Sequence, residues 1–324
     1  NMHLEIGLKK LRENKLFDAY KEFKFIIDHE NKNFKANFLL GIVYAKQKKF
    51  LDAERQFKKS LEINPDNPDI FNNLGLIYVK INKFQESINS FKEAIKIKPN
   101  FITSYINLGL VYKDLGQHND AEKKFLEVLE LDAINFDAKI NLAILYKDTS
   151  KVGKAETIFK NLIDQYPNNL IVLINYGNFL KNFGDRLESE KYFKKAIEIN
   201  PNYFPAYNNL MTLYERTNQN IKLKEIIDKA KINFPENNTT KLYEGHYLYK
   251  IEDFTNSINI LENINFEQEE LKLERLKNFL LAKNNDKIVN IESAYNYFQK
   301  TNNISNQLKN KNINKNNALK DINT

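Results

Sequence analysis

Between Pro68 and Phe101 the apolar positions trace two successive helical faces. Phe71, Leu74, Gly75 and Tyr78 fall at i, i+3, i+4 and i+7, the spacing of one side of an α-helix. A largely polar break follows from Lys80 to Lys83. Phe84, Ser87, Ile88, Phe91, Ala94, Ile95 and Ile97 then outline the face of a second helix. Pro99 closes the segment, because proline cannot continue a helix and disfavours helical geometry in the residue before it. The pattern predicts a helix–turn–helix unit.

That unit repeats along the chain. Phe23, Phe57, Phe91, Phe125, Phe159 and Phe193 are each 34 residues apart. A fixed period of this length indicates a stack of small units rather than one globular core. Four positions before each Phe stands a small residue: Ala19, Ala53, Ser87, Ala121, Ala155 and Ser189. Gly7, Gly41, Gly75, Gly109, Gly177 and Gly245 occupy another column, with Ala143 and Met211 in its gaps. Glycine inside a helix costs about 1 kcal/mol relative to alanine. Its recurrence therefore predicts that the two helices of a unit approach closely. Gly116, Gly153 and Gly184 are expected at turns between helices, which leaves no glycine for a phosphate-binding loop.

The register predicts eight units over residues 1–271. Leu271–Lys283 and Ile288–Gln299 read as two more helices, so residues 272–300 are expected to form a degenerate ninth unit or cap. Residues 301–324 are mostly Asn and Lys with scattered Ile and Leu, and predict a disordered tail or linker. Residue 1 is Asn with Met2 behind it, which suggests either a processed chain or a piece of a longer reading frame, the second favoured by the Asn/Lys-rich end.

Composition narrows the chemistry. With no cysteine the chain has no disulfide or thiolate metal site, which suits a reducing, cytoplasmic setting. No apolar run approaches the roughly 18 residues of a membrane span, so no membrane insertion is expected. The net charge is +7, but Lys309, Lys311, Lys315 and Lys320 against Asp321 supply part of it. The rest is interleaved with acidic residues, whereas nucleic-acid binding needs a concentrated basic stripe. His3, His29, His118 and His246 sit in different units at different columns, without metal-ligand spacing. Neither a metal, a cofactor nor a catalytic residue is expected, and any catalytic domain would lie outside these residues.

The paired helices, with Asn73-Leu74-Gly75 and Tyr78 in the first and Ala121 with Phe125 in the second, resemble the tetratricopeptide repeat. The resemblance covers residues 1–271 and departs at the ends, where Lys10 replaces the usual Tyr and Glu244 the usual Leu. It implies an all-α, right-handed superhelical solenoid acting in protein–protein interaction. The oligomeric state is left open.

Asn73, Asn107, Asn141, Asn175 and Asn209 occupy one column of five consecutive units. The chain holds 49 asparagines, a bias that scatters the residue widely without placing it in register. The family places this stripe on the inner concave wall, and the column resembles the asparagine ladder in the repeat arm of O-linked N-acetylglucosamine transferases. An Asn amide offers one acceptor and two donors, enough to hold a peptide by its main chain. Lys80, Lys113, Lys147 and Lys181 lie beside it and are candidates for attracting acidic peptides, although Asp114 and Asp148 adjoin them. The chaperone-binding carboxylate clamp is not matched, because its basic positions hold Asn72, Ile106 and Ile140. Two functions result: a scaffold for a peptide or partner segment, and the substrate-recruiting arm of a larger glycosyltransferase or sulfotransferase. The overall look is that of bacterial repeat proteins.

Overall fold

The computed structural model describes residues 2–267 and 270–323, with side chains to residue 310. Among the described residues the regular structure is helical throughout, and the helices follow one another as antiparallel pairs. The pairs are α1 (Met2–Arg12) with α2 (Leu16–His29), α3 (Phe34–Lys46) with α4 (Phe50–Ile63), and α5 (Pro68–Lys80) with α6 (Phe84–Ile97). Next come α7 (Ile102–Asp114) with α8 (His118–Leu131), α9 (Phe136–Asp148) with α10 (Val152–Gln165), and α11 (Leu170–Phe183) with α12 (Arg186–Ile199). The last two are α13 (Phe204–Arg216) with α14 (Asn220–Asn233), and α15 (Asn238–Lys250) with α16 (Phe254–Glu262). Two further helices follow, α17 (Leu271–Lys287) and α18 (Ile291–Asn323). The chain divides into two compact units, one built on Asn1–Leu145 and the other on Tyr146–Asp321.

Within a pair, the glycine and phenylalanine columns meet face to face. A Cβ on Gly75 would lie 2.6 Å from Cε1 of Phe91, and one on Gly41 2.6 Å from Cε1 of Phe57. In the second unit a Cβ on Gly177 would lie 2.5 Å from Cε1 of Phe193. The ring lies directly on the bare backbone, so the absent side chain is what admits it. All six phenylalanines of the column are fully buried. At Met211, the bulkiest replacement in the glycine column, the Phe position shrinks to Ile227, and both are fully buried, whereas Ala143 keeps Phe159.

The small column carries a second device. Ser87 Oγ donates to the Gly75 carbonyl at 2.9 Å, and Ser257 Oγ to the Gly245 carbonyl at 2.7 Å. Ser189, equally buried, has no partner for its hydroxyl. Ser87→Ala is therefore expected to cost about 1 kcal/mol, whereas Ser189→Ala is neutral or stabilising. Chemical denaturation of the two variants checks the difference; equal costs would refute it.

The turns between paired helices have a shared geometry that the sequence does not mark. Asn14, Lys48, Asn82, Gly116, Ser150, Asn218 and Glu252 all adopt positive φ, at one column of the repeat. The next residue's N–H then reaches back over the helix end, as Lys83 does to the Tyr78 carbonyl at 2.8 Å and Lys49 to that of Tyr44 at 2.9 Å. This closure satisfies carbonyls that the helix leaves orphaned. Of the glycines expected in turns, Gly116 takes this place. Gly153 instead lies inside α10, and Gly184 caps α11 with φ −129°. Gly153 has open space around it, so the helix simply begins earlier than expected.

Successive pairs are joined by a tyrosine and the residue facing it. Tyr78 donates to Glu54 Oε1 at 3.4 Å, and Lys58 and Lys83 flank that carboxylate at 2.7 and 3.6 Å. In the second unit Tyr214 faces Glu190, which is flanked by Lys194 at 2.7 Å and Lys222 at 3.2 Å. The position facing Tyr44 is Tyr20, whose ring meets it edge-on at 5.9 Å.

The C-terminal helices close the second unit. Leu280 and Leu281 of α17 join Leu242, Leu261 and Ile264 in one cluster, so the last pair does not end on bare apolar surface. α17 runs past the expected Lys283 because Asn284 and Asn285 bond the Leu280 and Leu281 carbonyls and stay buried. Over the segment expected as a disordered tail, α18 continues through Asn323. Thr301 is buried, and Ile304, Ser305 and Leu308 continue its half-buried stripe. That stripe is the physical reason: it lacks helix breakers and extends one apolar side. Side chains beyond residue 310, and Thr324 itself, lie outside the described residues.

Candidate peptide-binding face

The asparagine column lies on the first helix of each pair, three residues before the aliphatic column Leu76, Leu110 and Ile144. All five asparagines are half-buried. In the first unit Asn73 Nδ2 donates to the Asp69 carbonyl at 2.8 Å, and Asn141 Nδ2 to that of Asp137 at 2.8 Å. Both bonds run one turn back along the same helix. They fix the amide plane and leave Oδ1 and the second N–H of each group for another partner. Leu76 beside Asn73 is 40% exposed, while Leu110 and Ile144 are half-buried.

Asn107 is used differently. Its Nδ2 donates to Oδ1 of Asn72 at 3.0 Å, and the Ser104 hydroxyl donates to the same oxygen at 3.0 Å. Asn72 is 6% exposed, in a column that is apolar at Phe38, Ile106, Ile140 and Ile174 and polar again at the half-buried Asn208. This buried polar group between α5 and α7 is satisfied only because Ser104 and Asn107 reach it. A polar residue in a mostly apolar column, with Ser in the next repeat, is the signal that marks it.

In the second unit Asn175 Nδ2 bonds the Ile171 carbonyl and Asn209 Nδ2 the Pro205 carbonyl, each at 2.9 Å. Lys181 Nζ donates to Asn209 Oδ1 at 3.1 Å, so here the lysine and asparagine columns touch. Lys147 pairs with Asp148 at 3.0 Å. In the first unit Lys80 is exposed and Lys113 half-buried.

Lys181 has the most perturbed ammonium of the face. Burial pushes it down to about 8, helped by the charges of Arg216 and Lys147. Asn182, Arg186, Leu213, Arg216 and Thr217 line a hollow of about 210 Å³ with it. The two arginines come from neighbouring helices, and column spacing gives no sign that they converge there. No helix among the described residues is long and apolar enough to cross a membrane.

With this geometry in place, comparison with known proteins is specific about the repeat. A family profile described as TPR repeat matches residues 41–82 and 75–116. Profiles described as Tetratricopeptide repeat match residues 102–135 and 171–203, and 137–169. No curated protein sequence matches the chain significantly. Among solved structures, yeast Tom70 superposes with a TM-score of 0.69 at 22% identity, covering 86% of this chain and 63% of that one. A tetratricopeptide repeat protein from Parabacteroides merdae gives 0.56 at 17% identity, covering 86% and 97%. PilF of Pseudomonas aeruginosa gives 0.53 at 18% identity, covering 63% and 93%. At these identities the likeness concerns the fold. The Gly–Phe packing, the 34-residue period and the profile matches agree: between residues 41 and 203 this chain is built of tetratricopeptide repeats.

Proposed function

We propose that the chain is a protein-interaction scaffold that holds an extended peptide segment on the first-helix face of its repeats. The observation that carries this reading is the tethered amide. Asn73, Asn141 and Asn175 each spend one N–H on their own helix and keep an acceptor and a donor directed away from it. An amide held in this way loses little freedom when it bonds a peptide main chain. Leu76 beside Asn73 supplies apolar contact for an aliphatic side chain. Asn107 contributes less, since its amide already serves Asn72. The transferase-arm alternative places the same contact on this face and differs only in a catalytic domain beyond these residues.

The test is a peptide selected from a displayed library against the native chain. Replacing Asn73, Asn141 and Asn175 together by Ala removes a bond of about 1 kcal/mol at each asparagine that the peptide contacts, about a fivefold loss in affinity apiece. N-methylating the peptide backbone is expected to give a comparable loss, because the amide oxygens require main-chain N–H groups. Unchanged affinity in the triple variant, with unchanged helicity, removes the asparagines from the interaction.

A further inference from the structure

The hollow beside Lys181 holds positive charge that nothing in the described residues neutralises. Its charged lining groups are Lys181, Arg186 and Arg216, all cationic, and none of them forms an ion pair among the described residues. Several other lysines of this unit are compensated: Lys194 and Lys222 meet Glu190, Lys147 meets Asp148, and Lys277 meets Glu274. Lys181 has instead only the neutral oxygen of Asn209, and the Phe193 ring with its centroid 5.8 Å from Nζ. A half-buried ammonium without a counter-charge is unfavourable, and an entering oxyanion relieves it.

We propose that this hollow is a carboxylate-binding subsite that takes an acidic side chain of a bound peptide. It rests on the reading of the first-helix face as a peptide-binding face and adds the chemistry of one residue of the ligand. Asn209 is the link between the two. Its Nδ2 is tied to the Pro205 carbonyl, and its Oδ1 takes one Nζ–H of Lys181, leaving the other two ammonium hydrogens for the carboxylate. Arg186 from α12 and Arg216 from α13 flank the entrance, and both are exposed, so their forks can turn onto the ligand. A volume of about 210 Å³ accommodates a carboxylate with its methylenes.

The subsite couples binding to protonation. The carboxylate binds the ammonium form, and Lys181 in the free protein titrates at about 8. The groups facing it are Arg216 on α13 and Lys147 on α9, with Arg186 lining the same hollow; neither arginine titrates in this range. Affinity is therefore complete below that value and falls about tenfold per pH unit above it, until the pH reaches the raised value of the complex.

The experiment uses the full chain and two fluorescent hexapeptides, hexaglutamate and hexaglutamine, followed by anisotropy from pH ~7 to ~9.5. Hexaglutamate is expected to bind the native chain, to lose affinity about tenfold or more in Lys181→Gln, and to follow the pH law above. Lys181→Arg is expected to retain binding and lose the pH dependence, because guanidinium stays charged across this range. Hexaglutamine is expected to be indifferent to both variants. Failure of hexaglutamate to bind, equal binding by Lys181→Gln, or a flat pH profile in the native chain overturns the subsite. Stronger binding of a phosphoserine hexapeptide than of hexaglutamate overturns its assignment to a carboxylate. These outcomes are independent of the asparagine triple variant. That variant judges the main-chain reading, and its failure leaves a Lys181-dependent, pH-dependent hexaglutamate signal intact.

Discussion

Phe91→Ala is expected to lower stability by roughly 3–5 kcal/mol, the range for emptying a fully buried aromatic site. The ring is completely enclosed and rests on the backbone of α5 at Gly75, so no side chain can relax into the cavity. Because each repeat contacts only its neighbours, the loss is concentrated in the third pair rather than spread over the chain. Hydrogen exchange is expected to show α5 and α6 opening well before α1 and α2. Uniform loosening of all pairs would contradict a locally stacked core. The converse substitution tests the fit itself. Gly75→Met drives a side chain into a ring that a Cβ alone would approach to 2.6 Å, and overpacking of this kind costs typically 1–3 kcal/mol or more. Adding Phe91→Ile is expected to recover part of that loss, since the chain already uses Met211 with Ile227 at these two columns. A strictly additive double variant would show that the columns do not fit each other.

Removing the carboxylates at Glu54 and Glu190 is expected to give the second large effect. Each lies in a seam between pairs, with its side chain only 10% and 9% exposed respectively. Glu190→Ala removes the buried carboxylate that Tyr214 faces and that Lys194 and Lys222 bond, and a lost bond to a charged group costs about 1.5–3 kcal/mol, less here because both lysines reach solvent. Burial alone raises the pKa of both carboxyls. The hydrogen bonds and charges of Lys58 and Lys83 at Glu54, and of Lys194, Tyr214 and Lys222 at Glu190, outweigh it. Both therefore titrate below the ordinary value of 4.5. A carboxyl with a depressed folded value binds protons more weakly folded than unfolded. Its stabilisation is fully present above that ordinary value and is lost as the pH falls through the folded one. Denaturation from pH ~6 to ~3 is expected to show a steep fall in the native chain and a shallower one in the Glu54→Gln, Glu190→Gln variant. An unchanged slope would mean that other carboxylates govern the acid limit.

Much of the fold was legible in the residue order because its main contact is periodic. Gly75 and Phe91 recur at fixed columns, and the contact between them follows from the space that glycine leaves. The turns were not legible in the same way. Lys48, Asn82, Ser150 and Glu252 share one left-handed conformation, yet have no side-chain chemistry in common. Main-chain hydrogen bonds impose it. In the C-terminal segment the two signals differ: Asn and Lys suggest disorder by composition, whereas the spacing of Thr301, Ile304 and Leu308 is helical.

The candidate face was readable as a column but not as an environment. Five asparagines in register look equivalent, and only their neighbours separate them. Asn107 turns to Asn72 because Ser104 stands opposite, and Asn209 receives Lys181. The ammonium of Lys181 is depressed by its burial, helped by Arg216, which lies in the next pair and one column away. Such convergence requires packing to be known.

Closing the interhelix turns with main-chain bonds has a consequence for how such a chain changes length. A joint that asks little of its side chains can be copied together with its two helices. The copied cassette brings its own glycine seat and aromatic plug, and so arrives with its internal packing already solved. Tandem duplication of a 34-residue segment is then an additive step, and neighbouring copies need only adjust the seam residues between them.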